Sequence, residues 1–471
     1  MTTEKNKIVE NQVLFEHRTL STGKAIIYGL PNAGLQAILA IAVNFTLIFY
    51  INVLGQPPIV AGGIYAVALY FYAFMCVISG AIADKIGKKK VMLISGPLMA
   101  ITFIFIWIPP IPDTKYGQVY IPLILWFTIF AILFRLSVAA FQSSTFALLP
   151  DLSTDEQNRV KVSMINMILA ILGITLGTIG PFILMSNATQ NLSRDDPDLY
   201  YKDSPSGRVI YSQIFSFVFF IGFIFLVFTM LMMLIIKEPK MNKKQIRTLN
   251  ETLKGLMEPL KDKNYRIWLI TFFIFWIPFV AFQFLVLNMA TFILDLRGFE
   301  FIILIMIAFI STIFSFVIWQ KISQKLTLRK TFTICLIFSS ISFSLILILI
   351  IPMAHVIIFV LGITIISLCL CCLVGTMIFP FAIIGDMIDS AELKSEGKSL
   401  SGIYSGAFIM TGSLASATSM LIISIFFELF GPESPISYGL ILALVGTGLI
   451  LVAVVIFQKV QIVGTKERYK Q

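Results

Sequence analysis

Charge is what this chain is short of. Only 13% of its 471 residues are Asp, Glu, Lys or Arg, against 58% hydrophobic, whereas a soluble globular chain averages about 25% charged residues. With a mean hydropathy of +0.92, a water-soluble fold would have to bury far more of the chain than geometry allows. The scarcity therefore excludes a soluble domain and implies a polytopic membrane protein. Cysteine is equally uninformative for chemistry: Cys76, Cys335, Cys369, Cys371 and Cys372 are odd in number and lie in apolar runs. That excludes a disulfide framework or a closed zinc site and leaves them as small packing residues. No metal or cofactor is expected. The first residues, "MTTEKNKIVENQVLFEHRTLSTGK", lack an apolar core before a small-residue cleavage site, so no signal peptide is expected and the first helix directs insertion.

What is present is a series of apolar runs of about 20 residues. Twelve begin near Ala25, Ile59, Val91, Tyr120, Val162, Val209, Tyr265, Phe301, Thr331, His355, Leu400 and Ile436. The net charge of +10 does not point to nucleic acid, because the basic residues fall in alternating loops. Of the 35 Lys and Arg, 29 lie at the two termini and in the even-numbered loops, and five lie in the odd-numbered loops. The positive-inside rule then places both termini in the cytoplasm. The expected organisation is a cytoplasmic segment over 1–24, a six-helix bundle over 25–236, a cytoplasmic linker over 237–264, a second six-helix bundle over 265–460 and a tail over 461–471. In the linker, Ile246, Leu249, Leu253, Met257 and Leu260 recur at helical spacing in a basic background, which predicts an amphipathic helix on the inner leaflet.

One base is left over. Arg135 lies at the middle of the run from Tyr120 to Pro150, where a guanidinium costs about 2.5–3.5 kcal/mol on insertion scales. No Asp, Glu or His lies deep in any span: His355, Asp295 and Glu428 sit near outer ends, and Asp386 and Asp389 near the inner end of span ten. On a helix, Arg135, Ala139 and Gln142 share a face, and Phe146 extends it.

The two halves echo each other. "FALLPDL" (Phe146 to Leu152) recurs as "FAIIGDM" (Phe381 to Met387), and "GKKK" after span two corresponds to "TLRK" after span eight, 240 residues later. Parallel repeats of six spans are a transporter plan, with substrate at the midplane between them. "GAIADKIGKKK" (Gly80 to Lys90) fills every position of the major facilitator superfamily loop signature. Its Gly80 permits close helix approach, Gly87 a tight turn, and Asp84, Lys85 and Lys88 state-dependent contacts. Finer features, "YGLPNAG", "FALLPDLSTDEQNRVKV" and "GDMIDSAELKSEGKSLSGIYSG", resemble the glycoside-pentoside-hexuronide:cation symporter branch, which includes melibiose permease and is similar to animal lysolipid carriers.

The resemblance implies an all-α membrane fold of twelve helices in two bundles, alternating access, and no enzymatic activity. It also implies that Asp151, Arg159, Asp386 and Asp389 are gating-loop contacts. The alternative for the Asp386/Asp389 pair, magnesium-diphosphate chemistry, is outweighed by their match to a facilitator loop. The branch's cation-site carboxylates fall at Gln36, Tyr72, Cys76 and Gln142, its helix-five arginine at Asn166 and its helix-eleven lysine at about Gly412. Its aromatic platform survives as Phe146, with Met377 opposite. All four acids are thus replaced, and sodium coupling or a proton relay loses its usual groups.

Two readings of Arg135 stay open: recognition of an anionic solute through a two-pronged bond, or a staple to backbone carbonyls or glutamines. Gln36, Asn166 and Gln283 are expected to converge on the same space, with Asn44 and Asn288 further out and Trp276 included by its place in span seven. The expected partners are a small polar solute and the bilayer, with no nucleic acid. The expected state is a monomer in the plasma membrane, its coupling ion open. An amphiphile such as a lysolipid, and a non-transporting sensor on the same scaffold, are the rivals.

Overall fold

A computed structural model describes residues 19–111, 116–152, 156–190, 200–237, 259–394 and 401–462. The predicted linker helix therefore lies outside the described residues except for Leu260, in a short 3-10 turn over Pro259–Lys261.

Among the described residues twelve helices are long and apolar enough to cross a membrane. In hydrocarbon every backbone N–H and C=O must find its partner within the segment, so each apolar run becomes a helix. They are α1 (Thr22–Leu47), α2 (Pro58–Ile86), α3 (Lys88–Ile106), α4 (Ile121–Leu152), α5 (Glu156–Thr189) and α6 (Pro205–Ile235). The second half contributes α7 (Lys263–Asn288), α8 (Phe299–Lys325), α9 (Leu328–Ser344), α10 (His355–Lys394), α11 (Ser401–Phe430) and α12, a composite over Pro435–Phe457. The side that carries the α6–α7 connection is called the linker side below, and the opposite one the far side.

The repeat is visible in backbone detail. Both α1 and α7 finish on the far side in a π-turn, Ile48–Val53 and Met289–Ile293. In the first, Leu54 N donates to Phe49 O and Gln56 N to Tyr50 O; in the second, Leu294 N donates to Met289 O and Leu296 N to Ala290 O. The offset is again 240 residues, so the two halves share a termination as well as a loop motif.

Within the first half α1 packs against α5 and α6, and α4 against α2 and α3; within the second, α7 packs against α11 and α12, and α10 against α8 and α9. Small residues set the closest of these approaches. Gly173 and Gly177 on α5 lie so near α1 that a Cβ would stand 2.0 Å from Ala33 O and 2.2 Å from Ala37 O. A four-residue stripe of glycine lets two backbones meet in lipid, where dispersion rather than hydrophobicity drives packing. We expect Gly177→Val to separate α1 from α5, cost about 1–3 kcal/mol and lower the melting temperature of the purified protein.

The halves meet through α1 with α7, α2 with α11 and α5 with α8. The side chains that join them lie on the far side. Glu428 at the end of α11 accepts from Ile59 N in the first turn of α2 at 3.2 Å, a carboxylate set against a helix N-terminus. Deeper, a Cβ on Gly62 would overlap the Ser424 hydroxyl at 1.6 Å, and the Tyr70 and Thr418 hydroxyls approach to 3.4 Å. Between α5 and α8, Gly298 N donates to Thr189 Oγ1 at 3.0 Å and Arg297 to Tyr200 Oη at 3.1 Å. Burial pushes the Tyr200 phenol above its ordinary value, with Arg297 opposing the rise, so it stays a neutral partner. Arg297 also pairs with Asp295.

Candidate functional site

The site is built on the faces that α2 and α4 turn to each other. Both run from the far side to the linker side, and two hydrogen bonds join them in one register. Arg135 Nη2 donates to Tyr65 Oη, and Tyr72 Oη donates to Gln142 Oε1 at 2.6 Å; each pair is 70 residues apart in sequence. Seven residues separate the rungs on either helix, two turns of each. Further towards the linker side, the Ser79 and Ser143 hydroxyls lie 2.7 Å apart. The shared face of Arg135 and Gln142 expected from the sequence is therefore present. Tyr65 was not among the expected site residues, because nothing in its apolar run separates it from Tyr70 and Tyr72.

Arg135 is 5% exposed. Its guanidinium carbon lies 4.9 Å from the centre of the Tyr65 ring and 5.5 Å from that of Phe134, within reach of a cation–π attraction. Its Nε has no hydrogen-bond partner among the described residues, and no carboxylate among them pairs with the charge. The hydrogen-bond partner of the guanidinium among the described residues is a tyrosine, not a backbone carbonyl or a glutamine. Gln142, rather than reaching Arg135, is engaged by Tyr72.

The other predicted groups divide. Gln36 is half-buried and donates to Asn32 Oδ1 one turn away on its own helix, at 3.4 Å. Asn44 likewise bonds within α1, to Ala40 O at 2.8 Å. Asn166 is buried against Gly29 of α1, and its Oδ1 has no partner among the described residues. Gln283 Nε2 is buried and equally unpartnered among them. Trp276 is half-buried beside Phe272, and its indole nitrogen lies 3.8 Å from where a Cβ on Gly412 would stand. Phe146 and Met377, towards the linker ends of α4 and α10, are 45% and 38% exposed.

Of the loop motif, Gly87 separates α2 from α3 with φ of 111°, a conformation that explains glycine there. Lys88 is buried and donates to Ala147 O at 2.7 Å, near the linker end of α4. Lys89 donates to Met233 O at 2.8 Å and Ile236 O at 2.6 Å. Those carbonyls close α6, where a cation meets both the unpaired acceptors and the negative end of the helix dipole. The surroundings of Gly80 and the side chains of Asp84, Lys85, Asp151, Arg159 and Asp389 lie outside what the structure describes. Asp386 is half-buried, and its carbonyl accepts from Ser390 at 2.8 Å. Among the described residues no three His, Cys, Asp or Glu side chains group as a metal site would require.

Twelve spanning helices in two repeated bundles are the architecture of a secondary transporter that moves small solutes by alternating access. A family model described as "MFS/sugar transport protein" matches residues 27–460, and the chain belongs to that family within the major facilitator superfamily. Solved structures share the fold. The nucleoside transporter NupG is 13% identical with a TM-score of 0.63, covering 92% of this chain and 98% of its own. The D-xylose-proton symporter is 13% identical with a TM-score of 0.62, covering 93% and 97%. The inward-open xylose transporter XylE from E. coli is 14% identical with a TM-score of 0.57, covering 94% and 95%. At these identities the likeness concerns the fold alone. No curated protein matches the chain.

Proposed function

We propose that the chain carries a small anionic solute of the sugar-acid class, and that it is a melibiose-permease-like member of the superfamily whose acidic cation site has been lost. The observation that carries this reading is Arg135: a buried guanidinium with a neutral tyrosine partner and an unpartnered Nε. Leaving buried donors unmade costs about 1–3 kcal/mol each, and a carboxylate or phosphate on the solute satisfies them while neutralising the charge. Asn166 Oδ1 and Gln283 Nε2, also unpartnered among the described residues, supply an acceptor and a donor for hydroxyl groups. Transport without sodium follows from Tyr72 and Gln142 having taken each other as partners, since a sodium ion needs hard oxygen ligands, usually including a carboxylate. The protein acts as a monomer in the plasma membrane with both termini cytoplasmic.

The experiment is uptake into proteoliposomes of radiolabelled D-glucuronate, D-glucose and lysophosphatidate, each with and without a sodium gradient. Glucuronate is expected to enter fastest, with no stimulation by sodium. Preference for glucose, or a sodium-specific stimulation, overturns the reading. The exposed apolar Phe146 and Met377 favour the amphiphile as second reading, which faster lysophosphatidate transport would establish. Thermal stabilisation by glucuronate without flux would instead mark a sensor.

A further inference from the structure

Tyr65 is the one side chain of the site that faces three ways. Its hydroxyl accepts from Arg135 on α4 and donates to Ala42 O on α1 at 3.3 Å. Its ring meets Phe284 of α7, in the other half, edge to face at 5.7 Å and 89°. Tyr65 and Phe284 are each 2% exposed, so this contact is sealed from both surfaces; the same helix meets α11 through Gly62 with Ser424 and Tyr70 with Thr418. Arg135 bonds and stacks within the first half, on Tyr65 and Phe134, and is one hydrogen bond from a ring that meets the second.

We infer that Tyr65 is a positioning residue that couples the solute-binding arginine to closure of the far side. The inference rests on the proposed role of Arg135 for its solute arm, but the coupling itself is a property of the empty protein. While the guanidinium and the Ala42 carbonyl hold the hydroxyl, the ring is fixed at the angle that meets Phe284. An anion that draws the guanidinium to itself removes the anchor on α4 and leaves those on α1, the Ala42 carbonyl and the Thr46 side chain. The ring then turns more freely about its side-chain torsions, and the far-side contact weakens. Binding energy at one depth of the membrane is thereby converted into a change of the interface at another, and both ends of the link are discrete arrangements of one side chain.

The test needs no identified solute. Ser424 is fully buried where α11 meets Gly62 of α2, so a cysteine introduced there (Ser424→Cys) reports parting of the halves by its reaction with a membrane-impermeant maleimide. The full chain is reconstituted in lipid nanodiscs, and labelling of the protein without this change is subtracted. Phe284→Ala, which removes the partner ring, sets the scale. Tyr65→Phe and Arg135→Ala are each expected to raise the labelling rate about fivefold or more, the lower end of what coupled sites give. The double variant is expected to label no faster than either single one, because both cut the same link. Arg135→Lys keeps a donor for the hydroxyl and is expected to label near the wild-type rate, which separates the coupling from a general loss of packing. Wild-type labelling in Tyr65→Phe while Phe284→Ala labels fast would overturn the inference, as would additive effects in the double variant. These outcomes are independent of glucuronate uptake, so failure of the transport reading and failure of the coupling are told apart.

Discussion

Replacing Arg135 by alanine is expected to reduce glucuronate uptake by roughly 10- to 100-fold while leaving the protein folded. Hydrogen bonds to a charged group contribute about 1.5–3 kcal/mol, and each 1.4 kcal/mol is a factor of ten. The loss should appear in uptake at low solute concentration, with the slower entry of D-glucose changed by less than about threefold, because a neutral sugar gains no ion pair from the guanidinium. Folding survives for two reasons. The substitution removes a mid-membrane charge whose insertion is itself costly, and the Tyr65 hydroxyl keeps Ala42 O as an acceptor, so no buried donor is orphaned. Arg135→Lys should recover only part of the rate, since an ammonium is a point charge without the planar fork. Equal loss for glucuronate and glucose, in a protein whose melting temperature has fallen, would show Arg135 to be a structural staple only.

Valine at Gly62 is expected to abolish transport by a different route. A Cβ at this position meets Ser424 Oγ at 1.6 Å and Ser424 Cβ at 2.8 Å. The hydroxyl can rotate away, but the second atom is fixed to the α11 backbone, so a branched side chain fits only if α2 and α11 part. The far side then cannot close, and a transporter that closes only one gate cannot turn over. Flux should fall at least about tenfold, whereas each half, whose own packing is untouched, stays folded. Gly63 is the internal control: nothing lies within 4 Å of a Cβ there, so Gly63→Val should transport within about twofold of wild type. Ser424→Gly, which opens space on α11, should restore part of the flux of Gly62→Val. Normal flux in Gly62→Val would mean that the contact of α2 with α11 is not part of the cycle.

Residue pattern and tertiary structure contributed differently to these arguments. The twelve spans were legible because hydrocarbon forces a helix wherever about 20 apolar residues run together; the observed helices begin near the expected residues, from Thr22 for Ala25 to Pro435 for Ile436. The largest difference is α5, which begins at Glu156 rather than near Val162, because a helix continues past the membrane edge wherever its polar residues permit. The repeat was legible in two short motifs, and its reach into the paired π-turns of α1 and α7 was not, since hydrogen bonds skipping an extra residue leave no mark in hydropathy. Gly87 was readable as a turn because few other residues tolerate its positive φ.

The site was legible as residue types but not as pairs. Arg135 stood out because a charge in the middle of an apolar run is rare and costly. Its partner did not, because tyrosine is common in membrane helices and nothing in the run from Pro58 to Ile86 singles out Tyr65 over Tyr70 or Tyr72. Only the parallel alignment of α2 with α4, offset by 70 residues, matches Tyr65 with Arg135 and Tyr72 with Gln142. Gln36 shows the converse: its type suited the site, but its nearest partner lay one turn away on its own helix. The sequence by itself determined that this chain crosses a membrane twelve times as two related halves and holds one uncompensated arginine at mid-depth, because hydropathy and the cost of a buried charge are properties of single residues in lipid. Which groups meet that arginine, and that the ring beside it touches the opposite half, were decided by helix register and crossing, which arise only when the bundles pack.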